Sequence, residues 1–91
     1  MNVPANPEFR QQLIAKALNS VKAASKARGW FDQYEDGHPL KTQENDDVTR
    51  SFLEDAIRTA MGYGYPIEAI AGAASMSIDE ANAIADGPAA A

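Results

Sequence analysis

The sequence predicts an all-α domain: a long N-terminal helix, an aromatic-rich connection, a second long helix and two short helices joined by a tight turn. Three observations carry this expectation. Apolar residues recur at helical rather than alternating spacing along two long stretches. Pro7, Pro66 and Gly87 stand where helices start and stop. Ser77 precedes Glu80 by three residues, the spacing of a capping box. Ninety-one residues with an apolar fraction of 45% suit a single domain, 1–91, with one modest core.

The first helix is expected over residues 7–28. Asn6-Pro7-Glu8 supplies a cap, a first-turn proline and a carboxylate that favours the positive end of the helix dipole. Phe9, Leu13, Ile14, Ala17, Leu18, Val21 and Ala24 form one wide stripe. Lys16, Lys22 and Lys26 fall on the remaining surface, and Gly29 reads as the C-terminal stop. A stripe this long leaves self-association open, as a homodimer.

Residues 29–46 then read as an irregular connection. Asp36-Gly37 and His38-Pro39 mark turns within it. Trp30, Phe31 and Tyr34 suit either packing over the helix ends or, for Trp30 and Tyr34, contact with a partner. The second long helix is expected over about 47–62, capped by Asn45-Asp46-Asp47. Val48, Phe52, Leu53, Ala56, Ile57, Ala60 and Met61 are its apolar stripe, and Glu54 and Arg58 pair across one turn. Tyr63 and Tyr65 are expected beneath the following turn.

Residues 64–87 close the domain. Pro66 suits a first helical position, and Ile67, Ile70, Ala71 and Ala74 share one face. After Ser75-Met76, Ser77 and Glu80 start the last helix, whose stripe is Ile78, Ala81, Ile84 and Ala85. Gly87-Pro88 ends it, and the tail 88–91 is expected to fray. The expected core holds Leu13, Leu18, Val21, Phe52, Leu53, Ile57, Ile70, Met76 and Ile84.

Residues 48–87 resemble the helix-turn-helix unit of small bacterial and phage regulators, especially the actinobacterial kind. Ile70-Ala71 match the aliphatic-Ala pair of the first helix, Met76 the apolar residue after the turn, Ser77 the cap, and Ile84 the anchor of the recognition helix. The preceding segment 56–65 matches the supporting helix. The resemblance implies a helix-turn-helix fold and, by itself, DNA binding. Two features depart from the pattern. Ser75 stands where the family usually has Gly, which takes positive φ without strain. The outward positions of the last helix are Asp79, Glu80, Asn82, Ala83 and Asp86, with no cation for phosphate.

Charge bears on the same point. The net charge is −5. Five basic residues against Glu8 give residues 1–30 a balance of +4; Lys41, Arg50 and Arg58 against twelve acidic residues give residues 31–91 a balance of −9. The half that resembles a DNA-binding unit is therefore the half that repels a duplex.

Little in the sequence points to catalysis, so the chain is not expected to be an enzyme. No serine has a nucleophile–base setting around His38, and no glycine-rich phosphate loop is present. Without cysteine there is no disulfide or thiolate metal site, which suits a cytoplasmic protein. Asp32, Asp36 and Gly37 imitate the start of a calcium loop, but Tyr34 occupies its third position and Gln43 its twelfth. No cofactor, metal, signal peptide or membrane span is expected. The expected function is that of a small regulatory or inhibitory protein acting by protein contact. Its acidic surface of Asp79, Glu80, Asn82 and Asp86, with Trp30 and Tyr34, would meet a basic partner such as a nucleic-acid-binding protein, imitating nucleic acid charge. The alternative is a DNA-binding transcriptional regulator. It would use Lys16, Lys22 and Lys26 on phosphates and Asn82 on a base edge.

Overall fold

The computed structural model describes residues 7–87. The chain forms four helices, α1 (Pro7–Gln33), α2 (Gln43–Gly62), α3 (Ile67–Ala74) and α4 (Ile78–Asp86), and no strand among the described residues. The fold is all-α, two long helices followed by two short ones. The expected Asn6 cap and the 88–91 tail lie outside the described residues.

Helix α1 is 27 residues long and passes through Gly29 instead of stopping there. A glycine inside a helix costs only about 1 kcal/mol relative to alanine. Continuing the helix seats Phe31, which is 8% exposed; burying such a side chain is worth roughly 1.5–3 kcal/mol. The Lys41 ammonium lies 5.0 Å from the Phe31 ring centre and the Arg28 guanidinium 5.7 Å from it. Lys41 Nζ also donates to the Asp32 carbonyl at 3.3 Å. It thereby supplies the cation that the last turn of α1 lacks.

Helix α2 starts at Gln43, four residues earlier than expected, because Thr42 is the cap. Its Oγ1 accepts from the Asn45 N–H at 3.1 Å. The Asn45 amide is thus free to donate to the Leu40 carbonyl at 2.9 Å, tying the connection to the helix. The irregular segment shrinks to residues 34–42. Within it Tyr34 stacks on His38 at 4.3 Å, and Gly37 takes φ +93°, a conformation that suits glycine.

The two long helices run antiparallel. At one end Arg28 meets Asp46 and Thr49; at the other the Tyr65 hydroxyl donates to the Ile14 carbonyl at 2.7 Å. Helix α3 packs on both α1 and α2, and α4 packs on α2 and α3; no Cα of α4 comes within 8 Å of α1. Val21, Ile57 and Ile70 are completely buried among Ala17, Ala24, Ala56, Ala60 and Ala74. Small alanines let the helix backbones approach closely. Leu18, Leu53, Met76 and Ile84 pack around this centre as expected. Leu13 and Phe52 do not enter it: they are 38% and 47% exposed. Both lie on the flank of the α1–α2 pair that the short helices leave uncovered. Tyr63 is also exposed, at 42%, and only Tyr65 packs inward.

Candidate partner-binding surfaces

The turn between α3 and α4 sets the geometry of the acidic surface. Ser75 adopts φ 57°, ψ 44°, the left-handed conformation that usually falls to glycine. Its N–H donates to Gly72 O, and the Met76 N–H to Ala71 O at 3.1 Å. These two bonds make a Schellman ending that turns Met76 back onto the core. Pro66 caps α3 from one position outside it, at ψ 148°, and its carbonyl accepts from Ala69 and Ile70.

Helix α4 opens with the expected capping box. Ser77 Oγ accepts from the Glu80 N–H at 3.1 Å, and Glu80 Oε1 reaches back to the Ser77 N–H and hydroxyl. Ala81 is fully buried beneath the helix. Asp79, Glu80, Ala83 and Asp86 are exposed and Asn82 is half-buried. Ile78 is 45% exposed beside Asp79, an apolar contact point next to the carboxylates. At the far end Arg58 Nε donates to the Ile84 carbonyl at 3.2 Å. The Glu54–Arg58 pair expected from spacing is replaced by this bond and by a 3.8 Å approach to Asp55.

Trp30 and Tyr34 lie elsewhere. Trp30 is 63% exposed, so it is no cap on the core. With Ala27, Phe31, Tyr34, Leu40, Asn45 and Thr49 it lines an open depression of about 210 Å³. That depression is at the Arg28–Asp46 end of α2, whereas α4 docks near Arg58, about 18 Å further along the helix axis. The six residues expected to share one partner surface therefore divide into two.

The residues of the DNA alternative divide as well. Lys16, Lys22 and Lys26 are exposed on α1, and Asn82 is on α4, no Cα of which comes within 8 Å of α1. Lys22 and Lys26 flank an open groove of about 500 Å³ with Ser25, Gly29, Gly72, Ala73 and Ser75. The Ser25 hydroxyl donates across its floor to the Ala74 carbonyl at 2.8 Å. The calcium-loop resemblance loses its frame, since Asp32 belongs to the last turns of α1.

Sequence spacing did not reveal the ionic cluster that locks the two long helices together. Arg28 Nη1 donates to the Asp46 carboxylate, to the Asp46 carbonyl at 3.2 Å and to Thr49 Oγ1 at 3.1 Å. Arg50 donates to the other Asp46 oxygen at 2.8 Å. The hydrogen bond from Arg28, with the charges of Arg50, Arg28 and Lys41, outweighs desolvation and holds the Asp46 carboxyl below its ordinary value of 3.8. No helix among the described residues is long and apolar enough to cross a membrane. Comparison with protein-family models, curated proteins and solved structures finds no match.

Proposed function

We propose that this chain is a non-enzymatic regulatory or inhibitory protein that works by contact with another protein, presenting the outer face of α4 to a basic surface. In its sharpest form that surface is the nucleic-acid-binding face of the partner, and α4 occupies it by imitating phosphate charge. One observation carries the reading. The helix in the recognition position exposes Asp79, Glu80 and Asp86, while no basic residue follows Arg58 in the sequence. Arg58 itself is turned onto the Ile84 carbonyl. Helix α4 itself carries no basic residue, so its outer face draws in cationic surfaces and repels a duplex.

The direct test is fluorescence anisotropy with a labelled random-sequence duplex across a salt series. The proposal expects no binding even at low salt. Binding on the order of 10⁻⁴ to 10⁻⁶ M near physiological salt, tightening steeply as salt falls, would overturn it and favour the DNA-binding regulator with Lys16, Lys22, Lys26 and Asn82 as its contacts. A companion titration uses an oligolysine peptide as the cationic probe. Binding should weaken on Asp79→Lys and Asp86→Lys and stay unchanged on Glu35→Lys, an exposed carboxylate in the 34–42 segment. Equal weakening by all three would mean that general charge, not α4, is recognised.

A further inference from the structure

Helices α1 and α3 run side by side in the same direction. Tyr65, just before α3, bonds to Ile14, and Ala74, at the end of α3, accepts from Ser25. Between them lies the open groove of about 500 Å³ bordered by Lys22 and Lys26. Helix α3 has eight residues, so it offers a wall about 12 Å long, roughly two helical turns.

Two glycines line this groove, Gly29 of α1 and Gly72 of α3. The chain's own packing requires neither. Both lie inside helices, neither has positive φ, and a β-carbon on either would meet no atom within 4 Å. Each leaves its helix weaker than alanine would, and nothing in the chain fills the space so opened. The backbone here is already satisfied. Gly72 O accepts from the Ser75 N–H, Ala71 O from the Met76 N–H, and Ala74 O from the Ser25 hydroxyl. Apolar side chains can therefore cover it without stranding a polar group. On the α1 rim Lys22 and Lys26 are exposed and one turn apart, and neither enters an ion pair among the described residues. Among those residues no carboxylate lines the groove.

We infer that this groove docks an acidic, amphipathic helical segment of a partner protein. Charge and floor together select the occupant. Carboxylates four residues apart on such a helix match Lys22 and Lys26, and the small apolar side chains between them settle on Gly29, Gly72 and Ala73. A nucleic acid backbone is matched less well. Only the two ammonium groups on one rim would meet its phosphates; the glycine and alanine floor has no side-chain donor, and the Ser25 hydroxyl is committed to Ala74. Neither Asp79 nor Asp86 lines the groove, so it and the α4 face can each fail its test without the other.

The probe is a fluorescein-labelled helical peptide with glutamates four residues apart around leucine and alanine, titrated by anisotropy with the full chain. Binding should saturate and weaken with added salt. Lys22→Glu with Lys26→Glu should weaken it about tenfold, through two surface ion pairs turned to repulsion. Lys16→Glu, the same charge change away from the groove, should leave it nearly unchanged. Gly72→Leu should abolish binding by filling the groove, while helix content by circular dichroism stays as in the parent, because leucine is the better helix former. No binding even at low salt overturns the inference. So does equal affinity for unstructured oligoglutamate, or a Gly72→Leu protein that binds as well as the parent. Tighter binding of a labelled duplex through the same two lysines would overturn it in favour of nucleic acid. A mass that rises with protein concentration in sedimentation equilibrium, and that Gly72→Leu holds at the monomer, would give the groove to a second copy and overturn it as well.

Discussion

Arg58 reaches from α2 to the C-terminal end of α4, where its Nε donates to the Ile84 carbonyl at 3.2 Å. Helix α4 has no basic residue in its last turn, and it ends in Asp86. Its negative dipole end is thus satisfied from another helix, by a side chain that is 27% exposed. Gly87 lies against the same guanidinium: a β-carbon there would come within 3.7 Å of it and within 3.1 Å of the Ala83 carbonyl. One long-range bond therefore pins the C-terminal end of the acidic helix to α2.

Replacing Arg58 with methionine keeps most of the stem and removes the donor. The loss of a charge-assisted bond and of the dipole contact should cost about 1–2 kcal/mol. Urea denaturation measures that total. Amide exchange locates it: α4 should open faster than α1 and α2. Uniform acceleration in all four helices would mean that Arg58 supports the core and not α4 in particular.

Asp46 should make stability depend on acid. Its folded value lies below 3.8, so between the two values the unfolded chain binds more protons and stability rises with pH. The contribution is fully present above the ordinary value and disappears as pH falls through the folded one. Asp46→Asn should lower the urea midpoint at neutral pH. The gap to the parent should close as the pH falls through the folded value. A gap that persists there would assign the loss to the amide's geometry instead of the charge.

The α3–α4 unit was the most legible part of the chain because its signals are local. The Ser77–Glu80 box and the Ser75 turn are each fixed by residues three or four apart, and the structure reproduces both. The end of α1 lies beyond the expected stop for a physical reason. The row Ala17, Val21, Ala24 continues seven residues on to Phe31, and the glycine between costs too little to end the helix. The Arg28–Asp46 lock joins residues 18 apart through a turn whose course spacing does not encode. Phe52 shows the same limit. Its helical spacing marks it as apolar-facing, yet which flank of α2 is covered depends on where α3 and α4 dock. The charge of the α4 face was plain from composition; its separation from Trp30 needed the packing of α4 against α2.

Ser75→Gly should stabilise the fold. A side chain in the left-handed region costs about 1–2 kcal/mol, part of which returns as the greater freedom of glycine in the unfolded chain. The expected net gain is about 0.5–1 kcal/mol. A urea midpoint that does not rise would mean the Ser75 hydroxyl contributes as much as its backbone strain costs. The groove bordered by Lys22 and Lys26 has open space near α3, and so offers no reason for a bulky residue at 75.

The two ends of α4 allow binding and stability to be separated. Glu80 stands in the first turn, where its carboxylate completes the capping box and favours the positive end of the helix dipole. Glu80→Lys should therefore destabilise the protein, by roughly 0.5–2 kcal/mol in keeping with the loss of a cap. Asp86 stands in the last turn, where a negative charge opposes the dipole, so Asp86→Lys should stabilise by about 0.3–1 kcal/mol. Both substitutions remove a carboxylate from the face offered to a basic partner, and both should weaken binding to an oligolysine probe. Stability and affinity then move in opposite directions at residue 86 and together at residue 80. An Asp86→Lys protein that is more stable and binds the cationic probe as well as the parent would show that α4 is held in place for its packing, with no part in recognition.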